Sequence, residues 1–288
     1  MTSASAPPAV VGVIGGGRMG TGIAQSFAAA GSSVVVVEHD EAAATVALNR
    51  IAAGLRQAAE REGPRGSATG EVPDRVTAVT SIAELPADAD LVVEAVPEDA
   101  ALKARLLAAA EQAVGERCVL ATNTSSLPVT ELAAALKRPG SFLGMHFFNP
   151  VPVSALVELV LTPDTTGETL TAAVGWTRAL GKQKVVVQDS PGFASSRLGL
   201  ALGLEAVRMV EEGVAEPEAI DTAMRLGYRH PMGPLRLTDV VGLDVRLAIA
   251  DHLHRTLGER FAPPALLREK VARGELGRKT GKGFYSWP

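Results

Sequence analysis

The sequence predicts an α/β protein with a doubly wound, mostly parallel sheet, followed by an all-α C-terminal domain. Two observations lead to this prediction. Short apolar runs alternate with helical segments through the first two thirds of the chain, which is typical of parallel strands joined by crossover helices. Beyond Asp189, apolar residues recur only at helical spacing. We therefore expect one domain at residues 1–189 and a helical domain at residues 190–288.

Eight strands and four helices are predicted in the first domain. Strands are predicted at AVVGVIGGG, SSVVVVEHD, RVTAVTS, ADLVVEAVPE, CVLATNTSS, FLGMHFF, LVELVLT and KVVVQDSPGF. Helices are predicted at MGTGIAQSFAAAG, EAAATVALNRIAAGLRQAAERE, ALKARLLAAAEQAV and GETLTAAVGWTRALGK, which are rich in helix-forming residues. The second domain is predicted to hold helices at RLGLALGLEAVRMVEEG, EPEAIDTAMRLG, VRLAIADHLHRTLG and PPALLREKVARG. Glycines end most of these segments, as they do at helix C-termini.

Composition excludes several classes of protein. The 288-residue chain has a net charge of −4 and no block of basic residues, so a nucleic-acid partner is not expected. The longest apolar run is shorter than the ~18 residues of a membrane span, and the first residues do not resemble a signal peptide. The one cysteine, Cys118, permits no intramolecular disulfide, and we predict no metal site. We expect a cytoplasmic protein without a membrane partner.

A glycine-rich turn follows the first strand. Gly15, Gly17 and Gly20 form the pattern G-x-G-x-x-G, which opens the first helix, and the second strand ends at Glu38. Such a turn, helix and acid bind a dinucleotide in Rossmann-type folds, with the pyrophosphate at the helix N-terminus. A carboxylate at Glu38 favours NAD over NADP, because it accepts from the ribose 2′-hydroxyl and repels a 2′-phosphate. The alternative is a glycine turn without a ligand.

The stretch GMHFFNPVPVSALVELV carries two isolated ionisable residues, His146 and Glu158. Each alone is explained by a structural role, as a core histidine or an edge-strand glutamate. Together they predict a pair, because twelve residues are enough for the chain to reverse. In a buried pair the carboxylate fixes the ring tautomer and favours the imidazolium. A hydride-transfer enzyme needs such a base to take a proton from an alcohol.

A second set of polar residues ends the strand CVLATNTSS. Asn123, Ser125 and Ser126 lie at its mouth, where doubly wound sheets bind ligands. A plain turn is the alternative at this position. A serine nucleophile is not indicated, because the chain has no G-x-S-x-G elbow.

The chain resembles the L-3-hydroxyacyl-CoA dehydrogenase family, in particular the 3-hydroxybutyryl-CoA dehydrogenases. The likeness rests on VIGGGRMGTGIA, DLVVEAVPED, ATNTSSLPVTELA, GMHFFNPVPVSALVELV, DSPGF, AIDTAMRLG, HPMGPLRLTDVVGLD and GRKTGKGFYSW, in this order over nearly the whole chain. The resemblance implies an enzyme that interconverts 3-hydroxyacyl-CoA and 3-oxoacyl-CoA with NAD. It also implies a homodimer formed through the helical domain.

The resemblance implies roles for individual residues. His146 is the implied acid/base, Glu158 orients it, Ser125 binds the 3-oxygen, and Asn149 lies near the nicotinamide and the substrate carbonyl. The implied cofactor site comprises Gly15, Gly17, Arg18, Met19, Gly20, Glu38, Glu98, Lys103, Asn123, Ser125, Asn149 and Lys279. Glu98 and Lys103 are implied near the nicotinamide ribose, and Lys279 is implied to reach the cofactor from the C-terminal domain.

The chain departs from the family pattern in three places. Ser196 stands where the family has an asparagine near the substrate, and Ala155 stands where it has a lysine. On the long second helix, only Gly54 and Arg61 align with the residues that hold the CoA end. These departures leave a second hypothesis open: the same hydride chemistry on a carrier-protein-bound acyl unit or a sugar acid. A third hypothesis is a non-catalytic NAD-binding protein, against which the intact His, Glu and Ser argue.

Overall fold

A sheet of eight strands organises the first part of the chain. The computed structural model describes residues 6–62 and 75–288, without the side chains of residues 59, 61 and 62. The strands are β1 (Val10–Ile14), β2 (Ser33–Val37), β3 (Val76–Val79), β4 (Leu91–Glu94), β5 (Val119–Thr122), β6 (Phe142–Phe147), β7 (Leu156–Leu161) and β8 (Gln183–Gln188). The chain divides into two compact units, Met1–Asp189 and Ser190–Pro288.

The strand order is β3-β2-β1-β4-β5-β6-β7-β8. The pairs from β3 to β6 are parallel, β6 pairs with β7 in the antiparallel sense, and β7 pairs with β8 in parallel. The doubly wound α/β class predicted from the sequence is therefore confirmed. The reversal between β6 and β7 follows from their short connection, because a parallel crossover needs about a dozen residues or more.

Helices cover the sheet at the predicted places. They are α1 (Arg18–Ala30), α2 (Glu41–Glu62), α3 (Ala100–Ala113), α4 (Val129–Ala133) and α5 (Gly167–Ala179). The short α4 was not predicted, because it lies in a segment that reads as a turn. The apolar face of α1 packs on the strands through residues such as Phe27, whose ring meets Phe147 edge-on with centroids 6.4 Å apart. This contact ties the first helix to β6.

The second unit is all-helical, as predicted, with its own apolar core. Its helices are α6 (Ser195–Glu211), α7 (Pro217–Gly227), α8 (Pro234–Val241), α9 (Leu243–Leu257) and α10 (Ala265–Ala272). Helix α8 was missed, because its eight residues are bounded by proline and glycine. The buried carboxylate of Asp221 accepts from the backbone N–H groups of Leu235 and Arg236, both at 2.8 Å. This long-range cap starts α8 where local sequence gives no capping residue.

No helix within the described residues is long and apolar enough to cross a membrane. The structure also shows no group of three or more His, Cys, Asp and Glu side chains, over the same residues, that could hold a metal ion.

Replacing Phe27 by alanine should destabilise the first unit by about 3–5 kcal/mol, because a large buried ring is lost and leaves a cavity. Urea denaturation followed by circular dichroism measures this free energy of unfolding. Val46→Ala is the matched control, because Val46 is 45% exposed on α2 and should change stability by less than about 0.5 kcal/mol. Equal effects of the two substitutions would contradict the described core.

Candidate active site

Polar side chains gather at the carboxyl ends of β4, β5 and β6. They line a cavity of about 350 Å³ that includes Met19, Glu98, Asn123, Ser125, His146 and Asn149. Each of these was predicted as a site residue, and the strands bring them together because parallel strands end at the same edge of the sheet. The cavity lies entirely within the first unit.

His146 and Glu158 face each other across the β6–β7 pair. They are register partners in the antiparallel ladder, and Nδ1 of His146 lies 2.8 Å from Oε2 of Glu158. Both are buried, with 7% and 1% of their surfaces exposed. The ring of Phe148 packs against the imidazole with centroids 4.4 Å apart. The pairing therefore holds one ring nitrogen against a buried carboxylate.

Asn123 connects the ends of β5 and β6. The side-chain oxygen of Asn123 accepts from the backbone N–H of Phe147 at 2.9 Å. The backbone N–H of Asn123 donates to the carbonyl oxygen of Glu94 at 2.8 Å. These bonds hold the strand end that carries His146 beside the turn that carries Ser125. A residue predicted to contact the cofactor thus also has a local structural role.

Glu98 organises the turn after β5. Its Oε1 accepts from the Thr124 hydroxyl at 2.6 Å, from the backbone N–H of Ser125 at 2.9 Å and from that of Ser126 at 3.1 Å. Burial alone would raise the pKa of the Glu98 carboxyl. The Thr124 hydroxyl, the Lys103 ammonium and the two serines together hold that pKa below its ordinary value. The carboxylate is therefore ionised at neutral pH and fixes the position of Ser125.

Lys103 is fully buried behind this turn, together with Glu94. The ammonium lies 2.8 Å from Oε1 of Glu94 and 3.4 Å from Oε2 of Glu98. It also donates to the carbonyl oxygen of Val96 at 3.1 Å, while the Thr122 hydroxyl donates to Glu94 Oε2 at 2.6 Å. Because the Lys103 ammonium is surrounded by these oxygens, it acts on the cavity through Glu98, and its predicted contact with the cofactor stays a prediction.

The glycine-rich turn has the geometry of a dinucleotide site. Gly15 adopts a φ of 96°, and a Cβ there would lie 3.0 Å from the carbonyl oxygen of Ala95. A Cβ on Gly20 would collide with the carbonyl oxygen of Gly15, so helix and turn touch closely. At Gly17, the described residues leave the Cβ position open, and this N-cap of α1 has no side-chain cap. The open space at this N-cap leaves room for a pyrophosphate at the helix N-terminus.

Glu38 lies beside this turn. Its Oε1 accepts from the backbone N–H of Gly16 at 2.6 Å. Gly15, Gly17 and Glu38 line a cavity of about 540 Å³ whose other wall includes Ile82, Leu102 and Leu106. An apolar slot ending in a carboxylate suits an adenosine with an unmodified ribose. The residues present therefore fit NAD.

A third cavity, of about 510 Å³, runs between α1, α2 and the connection from β6 to β7. It is lined by Arg18, Gln25, Gly54, Gln57, Asn149 and Val153 among others. Arg18, predicted for the cofactor, and Gly54, predicted for the substrate, thus share one groove with Asn149. The side chain of Arg61 lies outside the described residues.

Two predicted site residues belong to the second unit. Lys279 lies in the C-terminal segment, where its ammonium lies 2.5 Å from Oδ2 of Asp244 on α9. Ser196 lies in the first turn of α6. Their predicted roles toward cofactor and substrate stay predictions.

Sequence reasoning missed Glu94 and Thr124. Glu94 was read as part of an apolar strand, yet it is buried and forms an ion pair with Lys103. The available signal was the same one that found Glu158, an acid inside an apolar run with a basic residue nine positions on. Thr124 was hidden in the run NTSS, whose members are indistinguishable without the fold.

Comparison with known proteins decides the family. Residues 10–190 match the model of the 3-hydroxyacyl-CoA dehydrogenase NAD-binding domain, and residues 192–287 match that of the C-terminal domain. The chain belongs to the 3-hydroxyacyl-CoA dehydrogenase family. As predicted, it is an NAD-dependent dehydrogenase.

Members of this family resemble the chain over nearly its full length. A probable 3-hydroxybutyryl-CoA dehydrogenase of Bacillus subtilis is 42% identical over 96% of both chains. The 3-hydroxybutyryl-CoA dehydrogenase of Mycobacterium tuberculosis H37Rv is 45% identical over 96% of this chain and 98% of its own. The crystal structure of (S)-3-hydroxybutyryl-CoA dehydrogenase PaaH1 from Ralstonia eutropha has a TM-score of 0.92, with 40% identity over 98% of this chain and 99% of that one.

Replacing Glu94 by glutamine should destabilise the first unit by about 3–5 kcal/mol, because it leaves the buried Lys103 ammonium without its nearest carboxylate. Chemical denaturation measures the free energy of unfolding. The control is Glu269→Gln, which removes an exposed pair with Arg273 at 3.5 Å and should cost less than about 1 kcal/mol. A loss as small as the control's would contradict a paired buried charge.

Replacing Glu38 by glutamine should weaken the preference for NADH over NADPH by about tenfold, which corresponds to about 1.4 kcal/mol. The amide keeps an acceptor for Gly16 but loses the charge that repels a 2′-phosphate. The ratio of kcat/KM for the two cofactors measures the change. The control is Asp40→Asn, because Asp40 accepts from the backbone N–H of Ala43, a cap that asparagine also forms. An unchanged ratio in the Glu38 variant would show that Glu38 does not determine the cofactor preference.

Proposed function

We propose that this enzyme interconverts (S)-3-hydroxyacyl-CoA, such as 3-hydroxybutyryl-CoA, and 3-oxoacyl-CoA, with His146 as the acid/base. The observation that carries the proposal is the 2.8 Å contact between His146 Nδ1 and Glu158 Oε2 at the cavity that Ser125 and Asn149 also line. The names of the relatives support the substrate class.

Glu158 determines which ring nitrogen does the chemistry. When its carboxylate accepts from Nδ1–H, Nε2 of His146 is the nitrogen that takes the proton of the 3-hydroxyl. The charge on the resulting imidazolium is balanced by the buried carboxylate of Glu158. In the reductive direction the same nitrogen returns the proton to the oxygen. Bound NAD supplies the hydride acceptor at its nicotinamide.

Ser125 and Asn149 hold the reacting part of the substrate. The Ser125 hydroxyl binds the 3-oxygen, so that the proton and the oxygen are both held at the histidine. Glu98 fixes the backbone of Ser125, because its carboxylate accepts a hydrogen bond from the Ser125 N–H at 2.9 Å. Asn149, at the end of the same cavity, binds the thioester carbonyl.

The groove lined by Arg18, Gly54 and Gln57 holds the CoA end of the substrate in this proposal. It adjoins the reaction cavity at Asn149, which lines both. The departures from the family pattern at Ser196 and Ala155 leave open an alternative substrate, either a carrier-bound acyl unit or a sugar acid. The comparison of kcat/KM for CoA esters of increasing chain length, carrier-bound esters and free hydroxy acids separates these substrates.

We also propose a homodimer formed through the second unit. Large apolar side chains are exposed there, including Leu198, Leu226 and Tyr228 at 71%, 73% and 75%, and such surface is often covered by a partner. Sedimentation equilibrium tests this: a monomer at micromolar concentration contradicts it. The cytoplasmic location stays a prediction.

Replacing His146 by glutamine should lower kcat for reduction of acetoacetyl-CoA by about 10²–10⁴-fold, the usual contribution of an acid/base residue. The loss of NADH absorbance measures the rate. Binding of NADH should change little, because the substitution leaves the glycine turn and Glu38, which line the adenosine cavity, unchanged. Glu158→Gln should lower kcat as well, since the histidine loses its orienting charge.

The second unit offers a matched control for this experiment. His254 and Glu259 form an exposed pair with His254 Nε2 and Glu259 Oε1 3.0 Å apart, so His254→Gln removes the same type of contact outside the cavity. Its kcat should stay within twofold of the unmodified enzyme. Full activity of the His146 variant would refute the proposed role.

A further inference from the structure

A buried lysine lies at the turn from α5 to β8. Lys182 is 7% exposed, and its ammonium donates to the carbonyl oxygens of Val151 and Ser154, both at 2.6 Å. The next residue, Gln183, donates its backbone N–H to the carbonyl oxygen of Ala155 at 2.6 Å. Lys182 and Gln183 together therefore hold three carbonyls of the short connection between β6 and β7.

Within the part of the chain that the structure describes, the charge of Lys182 is not part of an ion pair. Over residues 6–62 and 75–288, no carboxylate oxygen lies within 4.0 Å of its ammonium. Burial lowers the pKa of this ammonium, which shows that the charge is held at a cost. An apolar side chain would fill the same space without that cost. The lysine is therefore explained by the carbonyls that it binds.

The connection that Lys182 holds, residues 148–155, forms a wall of two cavities. Asn149 lines both the reaction cavity and the groove beside α2, and Val151 and Val153 line the groove alone. Inside the connection, the backbone N–H groups of Val153 and Ser154 donate to the carbonyl oxygen of Pro150 at 3.2 and 3.0 Å. Lys182 binds this turn without lining either cavity.

We propose that Lys182 is a positioning residue, which fixes the 148–155 connection and thereby the place of Asn149 and of the groove wall. The proposal rests on the function proposed above, because Asn149 matters for the rate only if it binds the substrate. The two ends of the connection continue into β6 and β7. These strands carry His146 and Glu158 and are paired by their own ladder. Loss of Lys182 should thus affect the substrate more than the acid/base pair.

The test compares Lys182→Met with Lys184→Met in the full-length enzyme. Methionine keeps an unbranched stem but removes all three donors, and Lys184 is exposed on β8, which makes it the matched control. The Lys182 variant should lose at least tenfold in kcat/KM for acetoacetyl-CoA, mainly through KM. Its dissociation constant for NADH should stay within twofold. The Lys184 variant should match the unmodified enzyme in both measurements.

Two further measurements separate positioning from general stability. Hydrogen exchange should become faster at the amides of Val153 and Ser154 and stay unchanged in β1 and β4. In a double-mutant cycle, Asn149→Ala should reduce kcat/KM by a smaller factor in the Lys182→Met background than in the unmodified enzyme, so the combined loss should be clearly smaller than the product of the two single losses. Additive losses, or unchanged exchange in the connection, would overturn the proposal.

Lys182→Gln serves as the second variant, because an amide donates two hydrogen bonds without a charge. It should recover part of the kcat/KM that methionine loses. If neither variant folds, Lys182 serves the stability of the whole unit and the proposal is wrong. If the unmodified enzyme has no activity on any acyl-CoA ester, the proposed function fails, and the exchange data still decide whether Lys182 holds the connection.

Discussion

The backbone register between β6 and β7 places His146 directly opposite Glu158. A slip of one residue would turn one of the two side chains to the other face of the sheet, so the hydrogen bond depends on an intact ladder. The ladder in turn depends on the apolar residues around it, Met145, Phe147, Val157 and Leu159, which are buried at 2% exposure or less. The polar pair is thus held in place by apolar packing.

A second group of charges, two of them buried, lies beside the cavity. Glu94, Lys103 and Glu98 form a chain that leads from the core to the turn carrying Ser125. Glu94 and Lys103 are costly to bury alone, and each is tolerated because the other and nearby polar groups satisfy it. The side chain of Glu98 is 36% exposed and connects this pair to the turn. The acid/base pair and this chain thus place two satisfied polar networks beside the cavity.

The sequence was most informative where two features together supported one explanation over its alternatives. An acid and a histidine alone in an apolar run predicted their own pairing, and the glycine turn with Glu38 predicted NAD. Alternating apolar runs and helices predicted the fold class. The reversal between β6 and β7 and the short helices α4 and α8 depend on connection length and on long-range caps such as Asp221, which local patterns do not contain. Lys182 resembled an ordinary helix end, because its acceptors lie in a connection about thirty positions earlier in the chain.

The hydrogen bond from the Gly16 N–H to Glu38 has a consequence for how cofactor preference can evolve. The carboxylate that repels a 2′-phosphate also holds the glycine turn to the end of β2. A substitution to a small or basic residue, the direct route toward NADP, would remove both the charge and this hydrogen bond in a single step. The turn would keep the backbone bond from the Gly15 N–H to the Val37 carbonyl oxygen at 2.9 Å but lose the bond at Gly16, so a change of cofactor would loosen the phosphate site unless a compensating acceptor appeared first. This coupling favours retention of the acid.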